Sequence, residues 1–146
     1  MRLYDLDLSS SAEVCAPGIC TGEFMRTSQI LIVEDSALIL MNAVAMFREA
    51  GYRTLEACCA AAAIAILENR GDIDIVFTDV NMPGKMDGLK LAAHIRQQWP
   101  PIKLLVASGK AIDEDRDLPI GVSFFQKPYA ETAVLDAARQ LLLECP

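Results

Sequence analysis

The chain has 146 residues, a net charge of −7 and a hydrophobic fraction of 53%, which suits one domain with a sizeable core. The acidic balance argues against a general role on phosphate backbones, which need clustered Lys and Arg. No apolar run reaches transmembrane length, and Met1–Asp7 lacks the apolar stretch of a signal peptide, so the expected location is the cytoplasm.

Residues 1–27 carry Ser9-Ser10-Ser11 and then Pro17-Gly18, with no sustained periodicity. They read as a flexible N-terminal extension, with the domain proper over 28–146. The five cysteines are an odd number without scaffold-like spacing and are expected to be reduced. Cys15 and Cys20 are spaced for metal or a cross-link, but no second ligand pair accompanies them. Cys58 and Cys59 sit in an Ala-rich stretch and read as small apolar residues.

Ile30-Leu31-Ile32-Val33 is a continuous apolar run, as expected of a strand buried on both faces. It ends at Glu34-Asp35, and Ser36 or Asp35 can cap the helix that follows. There Ala37, Leu40, Val44 and Phe47 mark one face, and Gly51 ends the pattern. Arg53–Ala57 alternates like a strand at the sheet edge, and Ala60–Leu67 is strongly helix-forming. Asp74–Asp79 is a third strand, again ending in a carboxylate. Pro83-Gly84 forces a loop. Gly88–Trp99 is a third helix with Ala92, Ile95 and Trp99 on one side, stopped by Pro100-Pro101. His94, Lys90 and Arg96 on this helix read as solvated side chains.

Ile102–Ala107 is a fourth strand, ending at Ser108-Gly109. Lys110–Gly121 is short, polar and poor in core-facing residues, so the fourth helix is predicted to be a short turn or a mobile loop. Val122–Gln126 is a fifth strand, ending at Lys127-Pro128. A last helix runs from about Ala130 to Leu143, with Val134, Ala138 and Leu141 on one face. The alternation implies an α/β fold with a five-stranded, doubly wound parallel sheet and right-handed crossovers. Ligands in such sheets bind beyond the carboxyl ends of the strands. Glu34-Asp35, Asp79, Ser108 and Lys127 all fall on that edge.

Three carboxylates against one ammonium leave two surplus negative charges there. Carboxylates so placed repel unless a cation intervenes. All-oxygen ligands, with no His or Cys beside them, suit Mg²⁺ or Mn²⁺ rather than zinc. A metal beside a carboxylate nucleophile suggests phosphoryl transfer, with Asp79 attacking phosphorus. Lys127 and the Ser108 hydroxyl would stabilise the phosphoryl oxygens. Any one strand-end Asp can be a mere helix cap. Groups of this kind at four strand ends, with a basic partner, are hard to explain that way.

The motifs Ile32-Val33-Glu34-Asp35-Ser36, Thr78-Asp79-Val80-Asn81-Met82-Pro83, Met86-Asp87-Gly88, Ala107-Ser108-Gly109 and Phe125-Gln126-Lys127-Pro128-Tyr129 occur in this order. Together they resemble the receiver domains of two-component response regulators, over about residues 28–143. The resemblance implies a flavodoxin-like (βα)5 fold with Asp79 as phosphoacceptor. It implies Asp35 as direct metal ligand, Glu34 as its acidic neighbour acting through water, and Asn81 as donor of a backbone carbonyl to the metal. Ser108 matches the hydroxyl residue that moves toward the phosphoryl group, and Lys127 the basic residue that pairs with it. Phe124 matches the aromatic switch position, where Tyr is common. A cis Lys127-Pro128 bond is implied too.

The implied partners are a histidine kinase and/or a histidine phosphotransfer protein, plus an unnamed downstream protein. Direct DNA binding and a membrane are not expected, and neither is turnover as an enzyme. The sequence reads as a stand-alone receiver. Two departures stand out. The loop Met82–Asp87 is one residue longer than the commonest family pattern, and the short fourth helix alters the usual signalling face. Two other readings compete: a phosphorylation-independent interaction module of the same shape, and a metal-dependent phosphohydrolase. The intact set Asp35, Asp79, Ser108 and Lys127 opposes the first. The second would favour Asp where Asn81 stands.

Overall fold

A computed structural model describes residues 27–144. The expected N-terminal extension up to residue 26, with Cys15 and Cys20, and the final residues 145–146 lie outside the described residues. Among the described residues ten elements alternate: β1 (Gln29–Val33), α1 (Ala37–Glu49), β2 (Arg53–Ala57), α2 (Ala60–Asn69), β3 (Ile75–Asp79), α3 (Gly88–Gln98), β4 (Lys103–Ser108), α4 (Glu114–Asp117), β5 (Val122–Gln126) and α5 (Glu131–Leu143). The strands form one parallel sheet in the order β2-β1-β3-β4-β5. Strand order reverses between β1 and β3, which opens a crevice at their carboxyl ends.

Side-chain alternation along each strand feeds two cores. Ile30 and Ile32 point to the α1 and α5 side, with Phe47, Ile75, Phe77, Leu105 and Val134. Leu31 and Val33 point to the other side, with Leu67, Val76, Leu91, Ile95 and Leu104. Every residue of β1 and β3 is buried. Burial on both faces is why these strands read as unbroken apolar runs. Each fully buried Ile or Leu contributes about 1.5–3 kcal/mol of apolar transfer, so the central strands are the best-anchored part of the chain.

The sequence places β2 at a sheet edge, and it is there. α4 is a single turn, as its polar sequence predicts. Its N-cap Asp113 accepts from the Arg116 N–H at 3.3 Å. Three expectations are corrected. Ala37 is exposed, because the first turn of α1 projects past the strand ends, and the buried face consists of Ala43, Val44, Met46 and Phe47. Cys58 is exposed and Cys59 stands at the N-cap position of α2 without a side-chain cap bond, so the pair read as small apolar residues lies between β2 and α2 and only Cys59 is partly covered. Arg96 and His94 are half-buried. The His94 ring meets Trp99 edge-on with centroids 5.9 Å apart, and Arg96 donates to the Pro100 carbonyl at 3.1 Å. No helix among the described residues is long and apolar enough to cross a membrane.

Candidate functional site

The site is built at the crevice where β1 and β3 end. Glu34 continues the β1 backbone, its N–H donating to the Ala57 carbonyl at 3.0 Å, and its side chain is buried. One Glu34 oxygen accepts from the Ser36 N–H at 3.1 Å. Ser36 in turn caps α1 by accepting from the Ile39 N–H at 3.5 Å, so the same turn that starts the helix aims Glu34 inward. Asp35 is exposed at the mouth. Asp79, the last residue of β3, is 7% exposed.

Lys127 crosses from the end of β5. Its N–H donates to the Ser108 carbonyl at 2.7 Å, and the Lys127-Pro128 bond is cis, as the family resemblance implies. Its ammonium lies 3.0 Å from Glu34 Oε2 and 3.0 Å from Asp79 Oδ1. Burial alone would lower the Lys127 pKa, but the hydrogen bonds to Asp79 and Glu34 outweigh it and hold the ammonium above its ordinary value. Burial pushes the Glu34 carboxyl up, more than the Ser36 N–H and Lys127 bring it down, with Asp79 adding repulsion.

One carboxylate oxygen each from Glu34, Asp35 and Asp79 lie within 4.8 Å of one another. This all-oxygen, net-negative group fits a hard divalent cation. Asp35 and Asp79 are the more available ligands, because both Glu34 oxygens are already engaged. Asp79 has a second oxygen with no protein hydrogen bond among the described residues. Asn81 follows Asp79 by two residues and is exposed.

Ser108 is fully buried at the end of β4, and its Oγ accepts from the Lys110 N–H at 3.0 Å. Phe124 is half-buried against the α2 and α3 core. The structure thus brings Glu34, Asp35, Asp79 and Lys127 into one cluster. Ser108 sits one strand away from Asp79, across the β3–β4 pairing, and Phe124 lies beyond it on β5.

Two residues matter more than their sequence suggested. Thr78 is fully buried and its hydroxyl donates to the Asp79 carbonyl at 2.9 Å. Gly88 begins α3 with its N–H on the Val80 carbonyl at 2.9 Å. A Cβ on Gly88 would run into the Asp79 carbonyl oxygen. Only the absence of a side chain lets α3 start this close to the end of β3. The pair Asp87-Gly88 is a visible motif, but nothing local shows which backbone it approaches.

Fold and edge chemistry together define a class: a doubly wound, flavodoxin-like (βα)5 domain with an acidic cluster at the switch point of its sheet. The family model for the response regulator receiver domain matches residues 30–139. The chain belongs to that family, the receiver domains of two-component signal transduction. The aerobic respiration control protein ArcA of Escherichia coli K12 is 35% identical over 121 residues, covering 81% of this chain and 50% of ArcA. The chain therefore spans about half the length of this relative. A response regulator receiver protein from Sinorhizobium medicae WSM419 superposes with a TM-score of 0.76 at 25% identity, over 81% of this chain and 96% of that one. The response regulator TrrA of Thermotoga maritima, solved in complex with Mg²⁺-BeF, shares the fold with a TM-score of 0.71 at 22% identity, over 79% of this chain and 99% of that one.

Proposed function

We propose that this chain accepts a phosphoryl group on Asp79 from the phosphohistidine of a histidine kinase or phosphotransfer protein, and that the aspartyl phosphate switches binding to a downstream protein. The observation that carries this reading is the Lys127 ammonium held between Glu34 and Asp79, at 3.0 Å from each. Such a group holds the nucleophile in place and is already positioned for the phosphoryl oxygens.

The free oxygen of Asp79 attacks phosphorus. A P–O bond forms, the P–N bond to the donor imidazole breaks, and the imidazole nitrogen keeps the electron pair. Lys127 then pairs with a phosphoryl oxygen. Asp35 and Asp79 would hold a divalent ion, with Glu34 adding negative charge beside them, and that ion would neutralise the charge spread over the phosphoryl oxygens. The Ser108 hydroxyl can give up the Lys110 N–H and donate to the phosphoryl group, and Phe124 follows by repacking. Leu38 and Met41, 68% and 67% exposed on α1 just past Asp35, give a docking partner an apolar foothold beside the mouth.

The test is intact-mass spectrometry after incubation with Mg²⁺ and a small phosphodonor. The expected result is one phosphoryl adduct in the wild type, none with chelator and none in Asp79→Asn. Absence of any adduct across several donors and metals would reassign the domain to phosphorylation-independent binding. Repeated turnover of a chromogenic phosphoester would reassign it to hydrolysis.

A further inference from the structure

A second candidate site lies at the opposite, amino edge of the sheet. A cavity of about 450 Å³ there is lined by Arg96 near the end of α3, Lys103 at the start of β4, Ile120 and Gly121 before β5, and Leu141 and Glu144 at the end of α5. Two cations therefore converge on one opening in a chain whose net charge is −7.

Arg96 is the informative member. No carboxylate among the described residues pairs with it. Its Nη1 donates to the Pro100 carbonyl at 3.1 Å and its Nη2 reaches the Gly121 carbonyl only at 3.5 Å. Its Nε–H is buried with no hydrogen-bond partner, alone among the buried side-chain polar groups of the described residues. A guanidinium has five N–H donors, and a buried donor left unpaired costs free energy. Nε and Nη2 form one edge of the guanidinium, the edge that receives a carboxylate through two parallel bonds. Here that edge holds one long contact, to a turn whose Ile120 is 94% exposed and so weakly anchored.

Lys103 points the same way. Its one carboxylate contact among the described residues is to Glu144 at 4.0 Å, and the Glu144 side chain is 62% exposed. Ile120 and Leu141 add apolar wall.

We propose that this cavity binds a small organic carboxylate with a short aliphatic body. The carboxylate sits on the Nε–Nη2 edge of Arg96, displacing the Gly121 contact. Lys103 supplies the second positive charge, and the aliphatic part lies against Ile120 and Leu141. The phosphoacceptor chemistry at the other edge is not required for this binding.

The experiment is a ¹H–¹⁵N NMR titration of the full chain with hexanoate, acetate and hexanol. The Arg96 Nε–H signal and the Gly121 and Leu141 amides are the readout. Hexanoate should shift all three, binding about tenfold tighter than acetate, and hexanol should leave the Arg96 signal unmoved. Lys103→Gln should weaken hexanoate about tenfold, and Glu144→Gln, which removes a competing carboxylate, should tighten it. Arg96→Gln should abolish the shifts at Gly121. If that variant loosens the loop, the opposite effects of the Lys103 and Glu144 variants still decide. The proposal is overturned if hexanoate leaves the Arg96 Nε–H unmoved, or if both Lys103→Gln and Glu144→Gln bind as the wild type does.

Discussion

The two halves of the carboxyl edge are built differently. On the β1 and β3 side, Glu34 and Asp79 stand at the ends of strands that are buried throughout, and both are tied to Lys127, which reaches across from the end of β5. On the β4 and β5 side, Ser108 is held by one backbone amide. The fourth helix there is one turn long, and no residue of β5 is fully buried. Charge is costly to place and needs rigid, fully paired surroundings. Few ties and incomplete cover make the β4 and β5 side the less stable of the two.

The sharpest way to break the contrast is Gly88→Ala. It drives a Cβ into the Asp79 carbonyl, which β3 cannot yield without losing its register with β4. A loss of about 3 kcal/mol or more is expected, read as a lower urea midpoint. A loss under about 1 kcal/mol would mean that α3 is free to retreat. Next is Lys127→Met in the metal-free protein, which removes two charge-assisted bonds and leaves Glu34 and Asp79 facing each other. About 2 kcal/mol should be lost. Divalent metal should bind about tenfold tighter, since a competing cation is gone. Weaker metal binding would instead mean that the ammonium orders the ligands.

A pH series sharpens the comparison further. Burial raises the Glu34 pKa above its ordinary 4.5. A raised folded-state value contributes stability that is full below the unfolded-state value and lost as the pH climbs through the folded one. The metal-free domain therefore loses this contribution from about pH 4.5 upward, and the raised Lys127 value adds no change until strongly alkaline pH. Mg²⁺ needs the ionised carboxylates. Its stabilisation should exceed that at about pH 5 by about 3 °C of melting temperature when measured near neutrality. An equal shift at both pH values would place the ion elsewhere. The smallest effect is expected on the other half: Phe124→Leu should cost under about 1.5 kcal/mol, measured by denaturation. A larger loss would show that this flank is as tightly built as the first.

Much of this was legible in the sequence. The unbroken apolar runs of β1 and β3 announce burial on both faces, and their terminal carboxylates announce the edge. The weak fourth helix could be read from Asp113–Asp117, which offers nothing to a core. What escaped depended on neighbours distant in sequence. Ala37 fits the helical period but overhangs the sheet. Arg96 resembles any charged helix residue until Gly121 is folded against it. Gly88 looks like an ordinary turn residue, because the Asp79 carbonyl that a side chain there would strike belongs to a different segment. Period and propensity are local, whereas close approach is set by topology.

The parallel arrangement has a practical consequence for attachment. Gln29 opens β1 at the amino edge, and α5, running back against the strands, ends at Leu143 on that same edge. Both ends of the folded unit therefore leave from the side opposite Asp79. A tag, a solid support or a fused protein joined directly at either end of the described unit, at Thr27 or Glu144, would hold the domain by its base. The carboxylates of Glu34, Asp35 and Asp79 would then lie on the side away from the attachment.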